Sequence, residues 1–240
     1  MSNILTPYRY AGGGLAGIIS YWKLDSNSND FVGSNNGTDT SISYVTGGVI
    51  DDCADFSSST SSEISIADSD TLSFGNGTTD SPFSVSLWVK RTSATPATIY
   101  LFSKKGTGEF EYEIYWSNNQ LRFRLWDNSA FSRIEYRTGT GTLANLDEWY
   151  NVVGTYDGSG VIGGLNVYEN GFLSASPNGN VGTYVAMENG TAPVVFGKNN
   201  LNTTNSLDGE MDEIYLFNRE LTPTEAEFCY DEGLAGRTLI

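Results

Sequence analysis

Apolar residues recur at every second position through most of this chain. FSVSLWVK (83–90) places Phe83, Val85, Leu87 and Val89 on one side and Ser84, Ser86, Trp88 and Lys90 on the other. That is the period of a strand with one buried face. LRFRLW (121–126) alternates the same way, with Leu121, Phe123 and Leu125 inward and Arg122 and Arg124 outward. IISYWKL, VIDDCADF, SEISIA, TIYLFSK, FEYEIYW, SRIEYR, WYNVVGTY, GGLNVYE, PVVFG and MDEIYLF read as further short strands between clusters of Gly, Asn, Asp and Ser. Asp157-Gly158 and Asn170-Gly171 mark two hairpin turns, since such pairs tolerate positive φ at the turn centre. One helix start is clear. Thr222 can cap, Pro223 suits the first helical position and Glu225 completes a capping box, giving a helix through EAEFCYDE that ends at Gly233. This pattern predicts an all-β fold, a two-sheet antiparallel sandwich with one short C-terminal helix.

Residues 1–17 precede the pattern. Pro7 and the glycines at 12–14 argue against regular structure, while Tyr8 and Tyr10 offer surface to pack on something else. They read as an N-terminal arm, either a disordered leader or a docking segment. Neither linker nor repeat divides residues 18–240, which read as one domain.

Composition narrows the function classes. The chain has 240 residues, 39% hydrophobic, 13% aromatic and only 18% charged, as in a turn-rich β protein. With 13 basic and 29 acidic residues its net charge is −16, which repels phosphate backbones and anionic headgroups. Nucleic acid and membrane are therefore not expected partners; cations and neutral ligands are. No apolar run reaches the roughly 18 residues of a membrane span, and the N-terminal segment reads as no secretory signal. Histidine is absent, which excludes Ser-His-Asp and Cys-His catalysis and His-ligated metals. Cys53 and Cys229 make no disulfide framework and are expected as free buried thiols.

The order of segments resembles the laminin G-like, concanavalin A-like jelly-roll modules of secreted and phage-encoded surface proteins. ISYWKLD and GSNNGT resemble that family's opening strand and Asn/Gly loop, and SPFSVSLWVKRT its Phe-Ser/Thr-x-x-x-Trp-Val strand. DEWYNVVGTYDG is similar to its W-H-H-V-A-x-T-Y-D-G segment, with Tyr150 and Asn151 in place of the histidines. GGLNVYENGFL resembles its hairpin, and GEMDEIYLFNREL the closing G-x-x-D-E segment. The resemblance implies a jelly roll and leaves function open, because this fold hosts many functions.

Two carboxylate groups invite a catalytic reading. Some β-glucanases of this architecture carry Glu-x-Asp-x-(x)-Glu on one strand, aimed at a sugar cleft. Glu210 and Asp212 have that phase, but Ile214, Tyr215 and Leu216 stand where the third acid belongs. Asp212 and Glu213 are adjacent and should point to opposite faces. Glu109, Glu111 and Glu113 share one face of EFEYEIYW, expected to be a solvated outer surface. No enzyme is expected.

The resemblance further implies a structural Ca²⁺ between opening loop and closing strand. Residue by residue it nominates Asp25, Asp30, Asn35 and Asp212, with carbonyls of residues 33–37; the alternative is uncomplexed surface acids. Trp88, Trp116, Trp126 and Trp149 fall in strands and are by default core residues. Trp88 and Trp126 are out of phase with the core, and if both face the concave sheet they could stack on sugars beside Arg124 and Asn128. The expected function is a non-catalytic recognition module at an extracellular or virion surface, such as a capsid decoration or fibre protein, with glycans or a protein assembly such as a capsid as partners. A carbohydrate-binding module of an exported enzyme and a glycoside hydrolase are the rival readings, and self-association into a homo-oligomer stays open.

Overall fold

A computed structural model describes residues 14–94, 97–174, 179–201 and 205–240. In chain order its strands begin with β1 (Ile18–Trp22), β2 (Gly37–Thr40), β3 (Ser43–Thr46), β4 (Asp52–Phe56) and β5 (Glu63–Ile66). The long central strands are β6 (Phe83–Arg91), β7 (Thr98–Gly106), β8 (Glu109–Ser117), β9 (Gln120–Asp127), β10 (Ser132–Arg137) and β11 (Trp149–Tyr156). Then come β12 (Leu165–Glu169), β13 (Phe172–Leu173), β14 (Gly179–Val181), β15 (Val194–Phe196) and β16 (Gly209–Phe217), before helix α1 (Pro223–Leu234).

These strands form two antiparallel eight-stranded sheets. The first runs β13-β12-β11-β6-β16-β4-β3, with β1 also paired to β16; the second runs β14-β10-β9-β8-β7-β15-β5-β2. Every apolar run read from the alternation overlaps a strand. The four segments it missed, β2, β3, β13 and β14, are sheet-edge strands of two to four residues, too short to show an alternation.

Alternation places the core between the sheets. Phe83, Val85, Leu87 and Val89 from β6 are wholly buried, as are Leu121, Phe123 and Leu125 from β9. The Phe83 ring stacks on Phe74 at 4.2 Å and meets Tyr112, Phe123 and Tyr156. At Gly154 of β11 the opposite sheet leaves no room for a side chain: a Cβ there would lie 2.9 Å from Ile114 Cδ1.

A second apolar cluster lies behind the first sheet. Tyr21, Val153, Tyr168, Tyr215 and Phe217 from its outer face meet Leu221, Ala226 and Cys229 of the α1 region, with Leu15 and Leu239. Helix α1 has the capping box read from Thr222 and Glu225, with both halves formed, and runs one residue past the expected end at Gly233. A Cβ at Gly233 would lie 2.5 Å from the Trp88 indole, so glycine lets the helix settle on that ring. The cover buries Ser84, Ser86 and Trp88, the polar side of β6.

Three further expectations are adjusted. The Asn170-Gly171 turn has the expected positive φ at both residues, but Asp157-Gly158 opens a longer connection that contains a 3₁₀ turn at Ile162–Gly164. Residues 1–13 of the expected arm lie outside the described residues. Leu15 belongs to the domain instead: it is buried and its N–H donates to the Leu239 carbonyl at 2.8 Å. Cys53 and Cys229 are free and buried.

Candidate functional site

The acids of the closing strand sit at a break in the sheet. β16 pairs β4 through Gly209–Met211 and β1 through Ile214–Phe217, with a bulge between, and Glu213 takes φ 50° there. The bulge cancels strict alternation. Glu213 turns to the helix-covered side, where it accepts from the Tyr21 hydroxyl at 2.7 Å and the Tyr215 hydroxyl at 2.5 Å. The expectation that Asp212 and Glu213 point to opposite faces therefore fails, since an inserted residue shifts the side-chain phase. Asp212 is wholly buried and accepts from the Val49 and Ile50 amides at 2.7 and 3.1 Å. Burial raises its carboxyl to about 8, helped by the charges of Glu213 and Asp25. Burial likewise lifts Glu213 to about 7, against its two tyrosine hydrogen bonds. Glu210 is separate and pairs with Lys90.

The four residues nominated for calcium are divided. Asp30 ties down its own loop, accepting from the amides of Tyr21 at 3.0 Å, Gly33 at 2.9 Å and Asn35 at 3.1 Å. Asn35 donates to Ser20 Oγ at 2.8 Å, and its carbonyl accepts from the Trp22 indole at 2.8 Å. Asp30 and Asn35 face N–H donors, which does not fit a cation. Asp25 and Asp212 fit one better: Asp25 Oδ1 is enclosed without a partner, and burial raises the Asp25 carboxyl, with Asp51 and Asp52 adding to the rise and Lys23 opposing it. Among the described residues no group of three or more acids or thiols has the geometry of a metal site.

The outer face of the second sheet is unlike anything else on the chain. Glu113 on β8, Arg124 on β9 and Glu135 on β10 are direct register neighbours and form one row across three strands. Arg124 Nη1 donates to Glu113 at 2.7 Å, and its other nitrogens bond Glu135 and the Tyr115 hydroxyl. Tyr115 donates to Glu135 at 2.6 Å and stacks on Tyr100 at 5.3 Å. Burial works to raise Glu135, but the Arg124 charge and the hydrogen bonds from Tyr115 and Arg137 outweigh it and hold the carboxyl below its usual range.

The expectation of a solvated Glu109–Glu111–Glu113 face is therefore wrong. Glu111 and Glu113 are 1% and 0% exposed. Glu111 pairs with the buried Lys104 at 2.7 Å, and Glu113 with Arg124 and Lys105. Glu109 accepts from Thr191 at 2.8 Å. The shared face fails too: a bulge in the β7–β8 pairing at Lys104/Lys105 breaks the alternation, so Glu111 joins Lys104 while Phe110 packs on the outer face against Trp126 and Lys105, beside Glu113.

Of the residues nominated for sugar stacking, Trp88 is excluded. It belongs to the first sheet, is 3% exposed and stacks on Tyr230 at 5.7 Å. Trp126 and Arg124 do share the second sheet's outer face. The Trp126 ring has Lys105, Arg133 and Arg124 at 4.9, 4.9 and 5.2 Å and Phe110 at 5.3 Å, so it holds cations instead of presenting a bare face. Asn128 lies past the end of β9 and donates to the Gly108 carbonyl at 2.8 Å. Sequence reading missed Tyr100, Tyr115, Arg133, Glu135 and Arg137; the alternation of TIYLFSK, FEYEIYW and SRIEYR around their apolar residues was the available signal.

The family model for the concanavalin A-like lectin/glucanases superfamily matches residues 58–227. No curated protein matches the sequence. Among solved structures, domain 4 of an extracellular arabinanase from Geobacillus stearothermophilus, in complex with arabinotriose, superposes with a TM-score of 0.65 at 22% identity, covering 89% of this chain and 98% of that domain. The binding domain of a Paraclostridial mosquitocidal protein gives 0.67 at 17% identity, and that of botulinum neurotoxin serotype G 0.62 at 16%. Each covers 89% of this chain, which spans 52% and 50% of those two domains. At these identities the likeness establishes the fold.

Proposed function

The chain belongs to the concanavalin A-like lectin/glucanase superfamily, and from that premise we propose that it is a non-catalytic carbohydrate-binding module working through the outer face of its second sheet. One observation carries this reading. The first sheet's outer face is closed by α1 with Leu15 and Leu239, whereas on the second sheet's outer face Arg122, Arg124, Trp126 and Arg133 stay partly exposed, held in place by the buried Glu113, Glu135 and Tyr115 beneath them. Polar groups fixed among aromatics are the usual make-up of a saccharide-binding surface. The similar arabinanase domain, solved with arabinotriose, adds support.

The same geometry argues against hydrolysis. A glycosidase needs a carboxyl that keeps its proton near neutrality beside a second, ionised one. Glu135 is held below the usual range by Arg124. Asp212 and Glu213, whose carboxyls are raised, are 0% and 2% exposed and spent on amides and tyrosines.

A structural Ca²⁺ is a second part of the proposal. Asp25 and Asp212 would hold it, supported by the unpartnered Asp25 oxygen and by the Asp25 and Glu213 charges that raise the buried Asp212. The ion would supply charge neutralisation between opening loop and closing strand. The setting we propose is an extracellular or virion surface, in keeping with a similar domain from an extracellular enzyme, and incorporation into an assembly such as a capsid would run through the N-terminal residues.

Probing an oligosaccharide array with wild-type protein and with Trp126→Ala tests the function. Wild type should bind a restricted set of saccharides and the variant should lose them. Failure to bind any saccharide would remove the reading.

A further inference from the structure

On a chain of net charge −16, the basic residues are concentrated. Lys105 of β7, Arg122 and Arg124 of β9, and Arg133 and Arg137 of β10 all stand on the second sheet's outer face, with Glu113 and Glu135 as the carboxylates among them. Glu109 and Glu111 belong to the same strand as Glu113 but are engaged by Thr191, Gly190 and Lys104.

The carboxylates do not satisfy the cations. Arg122 and Arg137 are direct register neighbours, and like charges so placed repel. Glu135 is shared among Arg124, Arg137 and, at 3.8 Å, Arg122, and Glu113 is shared between Arg124 and Lys105. Arg122 Nε is enclosed and finds no acceptor among the described residues. Arg133 makes no ion pair among them either; it rests over the Trp126 ring at 4.9 Å. Guanidinium forks match the two oxygens of a carboxylate or sulfate, and a stacked fork loses little entropy on binding one.

We propose that this array recognises an acidic oligosaccharide, its carboxylate or sulfate groups anchored at Arg133 and at the Arg122–Arg137 pair. This rests on the carbohydrate-binding reading and names its ligand class. Arg122 and Trp126, the register partner of Arg133, are four positions apart on β9, so the two anchors stand about 13 Å apart along the strands. That spacing suits a short chain of sugars better than a single one. Trp126 acts here as a positioning residue for Arg133. The rest of the acidic surface disfavours a long polyanion that would extend beyond the array.

Calorimetry should compare three probes: tetragalacturonate, its neutral methyl ester and a heparin tetrasaccharide. Wild type should bind at least one acidic probe about tenfold or more tighter than the ester, weakening as salt rises. Arg133→Gln and Arg122→Gln should each weaken the acidic probe about tenfold with the melting temperature and ester affinity unchanged. Equal affinity for acid and ester, or preference for the ester, would overturn this inference and leave carbohydrate binding intact. No binding to any saccharide would overturn both. Equal binding of a short DNA duplex would reduce the array to a generic anion patch and also overturn it.

Discussion

The two outer faces of the sandwich start from the same sequence pattern and end differently. On β6 the residues out of phase with the core are Ser84, Ser86 and Trp88, and α1 buries them. On β9 they are Arg122, Arg124 and Trp126, which stay partly exposed and bind one another and their neighbours in the sheet. Alternation tells which side chains leave the core; it does not tell whether something else covers them. The covered face behaves as a second core, and the other is the surface proposed to bind saccharide.

Removing Trp88 should separate the two most strongly. Trp88→Ala takes out the ring under Gly233 and Tyr230 and should cost about 4 kcal/mol in denaturant unfolding, while the folded protein keeps its saccharide affinity. A loss of affinity at unchanged stability would mean that the assignment of the faces is reversed.

Arg124→Ala strikes the other face. It strips Glu113 and Glu135 of their shared cation and should cost about 3 kcal/mol near neutrality. Because Glu135 is held below its usual range when folded, its contribution is present above the unfolded pKa and lost as pH falls through the folded one. The Arg124→Ala penalty should therefore shrink in acid, whereas the Trp88→Ala penalty should not change. Parallel pH dependence in the two variants would contradict the distinction.

The closing strand predicts the opposite slope. Asp212 and Glu213, raised to about 8 and about 7, bind protons more tightly folded than unfolded. In EDTA, stability should fall as pH rises from about 4 towards 8. Asp212→Asn should flatten this profile. Calcium should restore stability at pH 8 and do little near pH 5, where the acids are protonated; a calcium response that Asp212→Asn retains would exclude Asp212 as a ligand.

Thr222→Ala should cost about 1 kcal/mol by breaking the capping box of α1, without altering binding. Deleting residues 2–13 should change least: a melting temperature within a few degrees of wild type, since it leaves Gly14 and Leu15, the first described residues, packed on Leu239. A large drop would assign those residues to the domain.

The sandwich was legible because apolar alternation is strong in every long strand, and α1 because Thr222, Pro223 and Glu225 spell a cap. Trp88 was misplaced because its cover arrives from Tyr230 and Gly233, far along the chain. Glu113 looked solvated because its partners, Lys105 and Arg124, lie on two neighbouring strands whose register no single segment discloses. The bulge at Glu213 was invisible for a related reason: it arises where β16 exchanges β4 for β1, a tertiary event.

The most direct test of the central claim is hydrogen–deuterium exchange of the wild-type chain with and without saturating tetragalacturonate. Added protection is expected in β8, β9 and β10, around Tyr115, Arg124 and Glu135, with α1 and β16 unchanged. Protection confined to α1 or to the loop after β1, with none on β8–β10, would contradict the account.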